Sequence, residues 1–269
     1  MSEIVTDLSP EKISRAIDAN QIEGYIYFGQ GPQAEIHKES DLLWFVTGIP
    51  HPILNGVLTA RFTEETLDRR IESTLNYFKS RGLPMMWWTG PATEPSDLAD
   101  HLLAHGMTDG GDQPGMAMDL GQLEQNRPQP EGLIIGRVNN VSDLGEWLEP
   151  VRIGFELPDF VAEAVFNNFS RLNPKKDFPW RHYLGKLDGR TVAAATLFLG
   201  AGVAGIYHMA TLPQARRRGI ASAMTLTALL EAREIAFRIG VLQSSNAGRG
   251  VYQRLGFKTY CSLGRYILI

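Results

Sequence analysis

The spacing of apolar residues in the second half of the chain switches between the periods of helices and strands. Within 159–171, Val161, Ala164, Val165 and Phe169 fall on one helix face. Short apolar runs bounded by Gly, Asp or Pro predict strands, joined in one case by a tight Asp-Gly turn. The predicted strands cover 133–138, 181–187, 191–199, 204–212, 240–243 and a final pair that starts at 257 and returns over 264–269. The predicted helices cover 143–148, 159–171, 219–239 and 248–255.

The first half repeats part of this order. Its pattern predicts strands over 55–61, 83–88 and 116–120, and helices over 64–81 and 97–105. The segment 102–107 aligns with 252–257, since each ends a helix with Gly followed by an apolar residue. We therefore expect a tandem duplication, with an α+β (α/β layered) architecture of a mixed, mostly antiparallel sheet flanked by helices.

A polar segment with two prolines, 125–132, separates the two halves. Proline cannot continue a helix or a central strand, so this segment reads as a linker. We expect one lobe at 1–129 and a second domain at 130–269, each within the usual size range.

Charge is divided unevenly between these halves. The 269 residues carry a formal net charge of −4, but residues 1–130 hold 9 Lys+Arg and 19 Asp+Glu, a charge of −10. The remainder carries +6. An acidic first half argues against nucleic acid as a partner, because nucleic-acid binding needs a basic surface.

Cysteine content and hydropathy indicate where in the cell the protein is expected. Cys261 is the single cysteine, which excludes an internal disulfide and a cysteine-based zinc site and favours a reducing, cytoplasmic location. The start of the chain shows no secretory leader pattern. The uncharged segment 191–215 is rich in β-branched and small residues, so we expect two buried strands there and no membrane span.

The segment with the clearest chemistry is the turn between the predicted strand 204–212 and the following helix. Arg216, Arg217 and Arg218 precede Gly219, and Ala221 follows in the first helical turn. A helix start offers free N–H groups and the positive end of the helix dipole, which bind phosphate. Three arginines at that position are unfavourable unless an anion is present.

This turn resembles the acyl-CoA pyrophosphate loop of the GCN5-related N-acetyltransferase (GNAT) superfamily, whose pattern is Gln/Arg-x-x-Gly-x-Gly/Ala. Arg216-x-x-Gly219-x-Ala221 carries the pattern, and 245–257 resembles the family's Asn-x-x-Ala…Tyr-x-x-x-Gly-Phe ending. The resemblance covers about 131–269. It implies the acyl-CoA N-acyltransferase fold, with two strands that diverge near Thr211 and Gln243. It also implies acetyl-CoA, or another acyl-CoA, as co-substrate.

The family pattern places the cofactor-binding residues along the loop and the exposed strand edge. They are Met209, Ala210, Thr211, Arg216, Arg217, Arg218, Gly219, Ile220, Ala221, Ser222, Ser245 and Gly248. Ser245 and Gly248 depart from the pattern, because many members have Asn and Ala there.

The implied reaction is attack of an amine on the thioester, with a thiolate as leaving group. A backbone N–H near Met209 or Ala210 would stabilise the oxyanion, and Tyr252 would protonate the thiolate, since a phenol keeps its proton at neutral pH. The base is open between Glu156 and a chain of waters. Strand alternation puts Tyr207 and Met209 on one face and His208 on the other, which favours a core role for the histidine.

The first predicted helix of the first half, 64–81, begins differently from the helix that follows the three arginines. It opens with Thr63-Glu64-Glu65-Thr66, and carboxylates in a first turn would repel a pyrophosphate. We therefore expect a degenerate GNAT-like lobe without a cofactor site. Trp44, Trp87 and Trp88 either line an acceptor pocket there or pack in its core.

Two further patterns suggest other functions but lack the residues that those functions need. The literal G-x-G-x-x-G at 200–205 is followed by a strand, which argues against a dinucleotide site. His101 and His105 are spaced i, i+4 but lack a third ligand, so no metal is expected. The leading hypothesis is an N-acetyltransferase that acylates a small-molecule or peptide amine. A non-catalytic acyl-CoA sensor is the alternative, and the oligomeric state is not predicted.

Overall fold

A computed structural model of the chain describes residues 3–31, 33–125, 127–171 and 178–269. These residues form two compact units. The first unit comprises residues 1–20 and 116–259, and the second comprises 21–115 and 260–269. The expected boundary between 129 and 130 therefore does not coincide with the division of these units. Residue 126, within the expected linker, lies outside the described residues.

The first unit is a six-stranded mixed sheet with helices. Its strands run in the order β7-β8-β9-β10-β11-β6. They are β6 (Gln113–Asp119, which starts in the second unit), β7 (Leu133–Arg137), β8 (Trp180–Leu187), β9 (Arg190–Gly200), β10 (Val203–Thr211) and β11 (Ile239–Gln243). The helices are α1 (Pro10–Phe28, shared with the second unit), α4 (Val141–Gly154), α5 (Asp159–Arg171), α6 (Ile220–Glu234) and α7 (Arg249–Leu255).

Side chains on the two faces of β9 pack in different layers of this unit. Alternate residues Ala193, Ala195 and Leu197 pack in one apolar cluster with Met224 of α6. The intervening residues face the other way, as the period of a strand requires. Phe198, for example, lies 4.3 Å from Trp180 between ring centroids. The buried, uncharged stretch predicted over 191–215 is thus the hairpin of β9 and β10, as expected.

The second unit is also a mixed sheet packed on helices. Its strands run β1-β2-β3-β4-β12, and β5 pairs with β12. They are β1 (Glu35–Lys38), β2 (Leu42–Val46), β3 (Asn55–Ala60), β4 (Met85–Thr89), β5 (Thr108–Asp109) and β12 (Lys258–Leu268, which starts in the first unit). The helices are α2 (Leu67–Lys79) and α3 (Leu98–Ala104). The predicted fold class, a mixed and mostly antiparallel sheet flanked by helices, is confirmed.

Several predicted elements are wrong in their extent. The strand pair expected after 257 is a single strand, β12, whose end pairs with β4 from Gly264↔Thr89 to Leu268↔Met85. Helix α4 continues through Pro150 to Gly154 instead of stopping at 148. Helix α6 stops at Glu234 rather than 239, because Ala236 takes a left-handed φ of 72°. Helix α1 and strands β1 and β2 were not predicted from the sequence.

Among the described residues, no helix combines the length and the apolar character needed to cross a bilayer.

Asn20 of α1 ties the N-terminal segment to the β9–β10 hairpin within the first unit. It is fully buried, and its Nδ2 donates to the carbonyl of Gly200 at 2.8 Å and of Val203 at 3.4 Å. Its Oδ1 accepts from the hydroxyl of Tyr207 at 2.8 Å. A side chain at Gly205 would collide with Asn20, so the strand leaves room for this amide.

We expect Asn20→Ala to lower the free energy of unfolding by about 1–3 kcal/mol, because it leaves buried carbonyl and hydroxyl groups unsatisfied. Urea denaturation measures the change. Asn167→Ala is the matched control, because Asn167 is an exposed helical residue of the same unit. Equal stability of the two variants would contradict the assigned role of Asn20.

Candidate acyl-CoA site

Two parallel strands diverge in the middle of the first unit. β10 and β11 pair only at Ala204↔Gly240 and Gly205↔Val241, although β10 continues to Thr211 and β11 to Gln243. At the ends of the two strands, Oγ1 of Thr211 and Nε2 of Gln243 are buried and have no hydrogen-bond partner among the described residues. The divergence therefore produces a groove with unsatisfied polar groups on both sides, where the family resemblance implied it.

A bulge shapes the β10 side of this groove. The register with β9 passes from Tyr207↔Thr196 to Ala210↔Ala194, and His208 adopts a left-handed φ of 47°. Three residue steps on β10 thus oppose two on β9.

The extra residue overturns the predicted alternation of side chains. Tyr207 and His208 lie on the same side of β10, with ring centroids 6.5 Å apart. Met209 instead packs against the apolar cluster that contains Ile206 and residues of α6. The prediction that Tyr207 and Met209 share a face is therefore wrong, because a bulge shifts every later side chain to the opposite face.

The turn between α4 and α5 lies against the end of β10. A Cβ on Gly154 would approach the Cβ of Ala210 to 2.7 Å, so the absence of a side chain permits this contact. Phe155, half exposed, lies 6.5 Å from His208 between ring centroids. Glu156 follows with a left-handed φ of 52° and an exposed side chain. The predicted candidate base therefore lies beside the groove, on its solvent side.

Two histidines lie in an aromatic cluster beneath this turn. His182 of β8 is buried, and its Nδ1 is 2.9 Å from Oγ1 of Thr196. Trp147 contacts both rings, at centroid distances of 4.5 Å to His182 and 5.3 Å to His208. Desolvation lowers the pKa of His182 well below its ordinary value and that of His208 to about 4. Both imidazoles are therefore neutral at pH 7. His182 was not predicted as part of the site, because an isolated histidine within a strand carries no motif.

The start of α6 is open to an anion. Gly219 is its N-cap with a φ of 80°, no side chain of the residues described here caps the helix, and the first turn contains no acidic residue. Arg216, Arg217 and Arg218 are exposed directly before it, and Nε of Arg216 donates to the carbonyl of Thr211 at 3.0 Å. The first N–H groups of the helix therefore have no capping side chain, and fixed positive charge surrounds them.

The loop before α7 explains both departures from the family pattern. The Oγ of Ser245 accepts from the N–H of Gly248 at 3.2 Å, so the Ser245 hydroxyl already stabilises the loop. A Cβ at Gly248 would lie 3.1 Å from Cε2 of Tyr252, which would crowd that ring. Tyr252 packs its ring 5.8 Å from Phe257, and burial raises its pKa to about 12.

Comparison with known proteins identifies a domain in the second half of the chain. Residues 179–259 match the family model described as an acetyltransferase (GNAT) domain. This segment is a GNAT domain. The matched segment contains both the loop at 216–221 and the motif at 245–257, so the resemblance to the GNAT superfamily is confirmed over these residues. No curated protein sequence matches the chain.

Solved structures with this fold cover nearly the whole chain. A GCN5-related N-acetyltransferase from Kribbella flavida is 19% identical with a TM-score of 0.71, covering 94% of this chain and 95% of its own. Another from Sphaerobacter thermophilus is 17% identical with a TM-score of 0.66, covering 100% and 95%. A tandem GNAT protein from the clavulanic acid biosynthesis pathway is 13% identical with a TM-score of 0.59, covering 98% and 96%. At these sequence identities, the structural similarity shows a shared fold and no more.

The second unit contains a similar pair of diverging strands, but its groove is filled. β3 and β4 pair in parallel only at Gly56↔Met86 and Val57↔Trp87. Beyond these pairs, the N–H of Glu94 donates to the carbonyl of Ala60 at 3.0 Å, and the N–H of Phe62 donates to the carbonyl of Glu94 at 2.9 Å. A segment of the chain itself therefore occupies the strand edge that is open in the GNAT domain.

The helix that follows β3 also differs from the prediction. Glu64 and Glu65 lie in a turn before α2, and the carboxylate in its first helical turn is Asp68. Nδ1 of His101 and Nε2 of His105 lie 3.3 and 3.0 Å from Oδ1 of Asp68, so the paired histidines join α3 to α2.

The three tryptophans of this unit lie in its core. Trp44 and Trp87 belong to the apolar cluster on α2, and Trp88 packs with Phe45. Each is less than 10% exposed. Packing, the second of the two roles left open for them, is therefore their role in this unit.

The histidine cluster makes the stability of the protein depend on pH. The pKa of His208 is about 4 in the folded chain and 6.5 is its ordinary value, so the unfolded chain binds the proton first on acidification. The free energy of unfolding should therefore fall as the pH drops through this window. In His208→Gln, we expect the fall between pH 6.5 and 4.5 to be smaller by about 1–2 kcal/mol, allowing for partial exposure. Urea denaturation at both pH values measures it, and an unchanged pH dependence would refute the neutral state of His208 in the folded chain.

Proposed function

We propose that the chain is an acetyl-CoA-dependent N-acetyltransferase that transfers the acyl group directly to an acceptor amine. The observation that carries this proposal is the groove between β10 and β11, which opens at the same end of β10 as the uncapped start of α6. Only residues 212–219 separate Thr211 from that helix. One extended acyl-CoA molecule can therefore bind in the groove and at the helix start at the same time.

The residues that would hold the acyl-CoA follow from this arrangement. Its pyrophosphate fits the N–H groups from Gly219 to Ser222, including Ile220 and Ala221, with Arg216, Arg217 and Arg218 supplying charge. The pantetheine arm fits the unpaired end of β10, at Met209, Ala210 and Thr211. Ser245 and Gly248 would bound the site rather than bind through side chains, because Ser245 is engaged with its own loop.

The chain's own groups account for each charge that forms during transfer. The amine nitrogen attacks the thioester carbon, and a backbone N–H at Met209 or Ala210, next to the bulge, stabilises the oxyanion. The carbon–sulfur bond then breaks, and the hydroxyl of Tyr252 donates its proton to the thiolate. A phenol with a pKa of about 12 stays protonated at neutral pH, which suits a general acid.

The acceptor side is bounded by the turn between α4 and α5. Phe155 supplies an apolar wall, and Glu156 or a chain of waters takes the proton of the amine. This site suits a small-molecule or peptide amine. We propose a cytoplasmic location, because Cys261 is the single cysteine. The charge of −10 on residues 1–130 makes nucleic acid an unfavourable partner.

Binding of CoA tests whether the loop before α6 is the pyrophosphate site. CoA and acetyl-CoA should raise the melting temperature of the wild type, because they bind only the folded chain. In Arg216→Glu/Arg218→Glu we expect this shift to disappear, since the two substitutions reverse the charge at the helix start. Arg152→Glu/Arg190→Glu, at exposed or partly exposed positions away from α6, is the charge-matched control. An unchanged CoA shift in the loop variant would exclude this loop as the pyrophosphate site.

The proposed role of Tyr252 as general acid is tested with Tyr252→Phe, which removes only the hydroxyl. With an acceptor identified from a panel of amines, we expect release of free CoA to slow about 100-fold or more while the affinity for acetyl-CoA is unchanged. An unchanged rate would show that Tyr252 is not the acid. Acetyl-CoA binding without turnover on any amine would instead favour the non-catalytic sensor.

A further inference from the structure

An aromatic side chain is exposed beside the expected reacting end of the groove. Phe155 follows helix α4 directly and is half exposed. The preceding Gly154 lies so close to Ala210 that a Cβ on it would come within 2.7 Å of the Ala210 Cβ. Under the proposed function, the N–H of Met209 or Ala210 stabilises the oxyanion. An acceptor amine that reaches the thioester carbon therefore passes close to the Phe155 ring.

His208, which contacts Phe155, is surrounded by further aromatic rings. Its ring centroid lies 5.3 Å from that of Trp147, 5.8 Å from that of Phe169 and 6.1 Å from that of Trp180. These three rings are at most 5% exposed, whereas His208 is partly exposed. The planes of Trp147 and Phe169 stand at 79° and 86° to the imidazole, so these contacts are edge-to-face. Phe155 and His208 thus present aromatic surface above a buried aromatic floor, and a ligand ring can extend the same kind of contact.

The turn that carries Phe155 has an excess of negative charge. Residues 149–163 contain four carboxylates and one arginine, a net charge of −3. The arginine, Arg152, lies 3.5 Å from Glu149 and 3.4 Å from Asp159 between charged atoms. These two carboxylates therefore offset the positive charge within the turn itself.

This charge favours a cationic ligand and opposes an anionic one. Glu156, directly after Phe155, is exposed and accessible to an ammonium group. Desolvation lowers the pKa of His208 to about 4, so the imidazole stays neutral at pH 7 and does not repel a cation. A carboxylate on the ligand, by contrast, would lie beside like charges, which is unfavourable.

We infer that the acceptor is an aromatic primary amine without a carboxylate, whose ring packs on Phe155 and His208. This inference rests on the proposed function, because the oxyanion donor at the end of β10 sets where the amine must lie. The nitrogen bonds to the thioester carbon and the carbon–sulfur bond breaks, which gives the N-acyl amine and CoA. One amine proton passes to Glu156 or a water, and the thiolate takes the proton of Tyr252.

Three compounds that differ from one another in single features test this substrate class. 2-Phenylethylamine has the ring and no carboxylate, phenylalanine adds a carboxylate, and 2-cyclohexylethylamine has a saturated ring. Release of free CoA from acetyl-CoA measures kcat/KM for each. We expect 2-phenylethylamine to exceed phenylalanine by at least about 10-fold, since like charges oppose binding. We expect it to exceed 2-cyclohexylethylamine by about 3-fold or more, the scale of an aromatic contact.

Variants of Phe155 test the position of the ligand ring. Phe155→Ala should raise KM for 2-phenylethylamine about 3- to 10-fold with a smaller change in kcat, because the lost contact binds the ring and not the reacting atoms. Phe155→Tyr keeps an aromatic ring and should retain the wild-type KM. Ile134→Ala, which truncates an exposed apolar side chain on β7, is the matched control and should leave KM unchanged. Calorimetry with CoA should give the wild-type affinity for each variant, which excludes a folding defect.

Two results would overturn the inference and leave the proposed function intact. One is transfer to phenylalanine, to 2-cyclohexylethylamine or to an aliphatic amine of a wider panel at a kcat/KM equal to or above that of 2-phenylethylamine. The other is a KM for 2-phenylethylamine that is unchanged in Phe155→Ala. If the wild type does not bind CoA, or binds it and acylates no amine of the panel, the proposed function itself fails.

Discussion

The candidate site depends on the separation of two parallel strands. β10 and β11 share two paired positions and then diverge, so the end of β10 has no strand partner on that side within the described part of the chain. Unpaired strand ends inside a protein are unfavourable, because their polar groups lose water without gaining partners. A ligand with amides along its length supplies the missing partners. The bulge at His208 adds to this arrangement, since it re-aims the backbone of β10 beside the groove.

The second unit shows how the same strand arrangement can be closed. There the groove between β3 and β4 is occupied by the backbone of Glu94, which satisfies Ala60 and Phe62 internally. The following helix carries Asp68 in its first turn, whereas α6 carries no acid and follows three arginines. The opposite charges of the two halves of the sequence agree with this difference: one helix start is open to an anion, and the other is neutralised by the chain itself.

The parts of the site that could be predicted from the sequence are those whose conformation and charge depend on neighbouring residues. Gly219, the arginines before it and the glycine at 256 are readable from sequence, because cap geometry and charge at a helix start depend on neighbouring residues. The bulge at His208 was not predictable from strand alternation, because no residue type marks it there. The partner of β12 and the role of Asn20 depend on residues far apart in sequence. Helix α4 passes Pro150 because packing of a buried turn outweighs local propensity.

Hydrogen exchange of backbone amides, followed by mass spectrometry with and without CoA, tests the central claim most directly. The open groove and helix start predict that CoA slows exchange in segments covering 206–222 and 243–252. Segments covering 57–67 and 86–96, where the second unit fills its own groove, should exchange at the same rate in both samples. Protection confined to the second unit, or absent from residues 206–222 at saturating CoA, would contradict the assignment of the acyl-CoA site to β10 and α6.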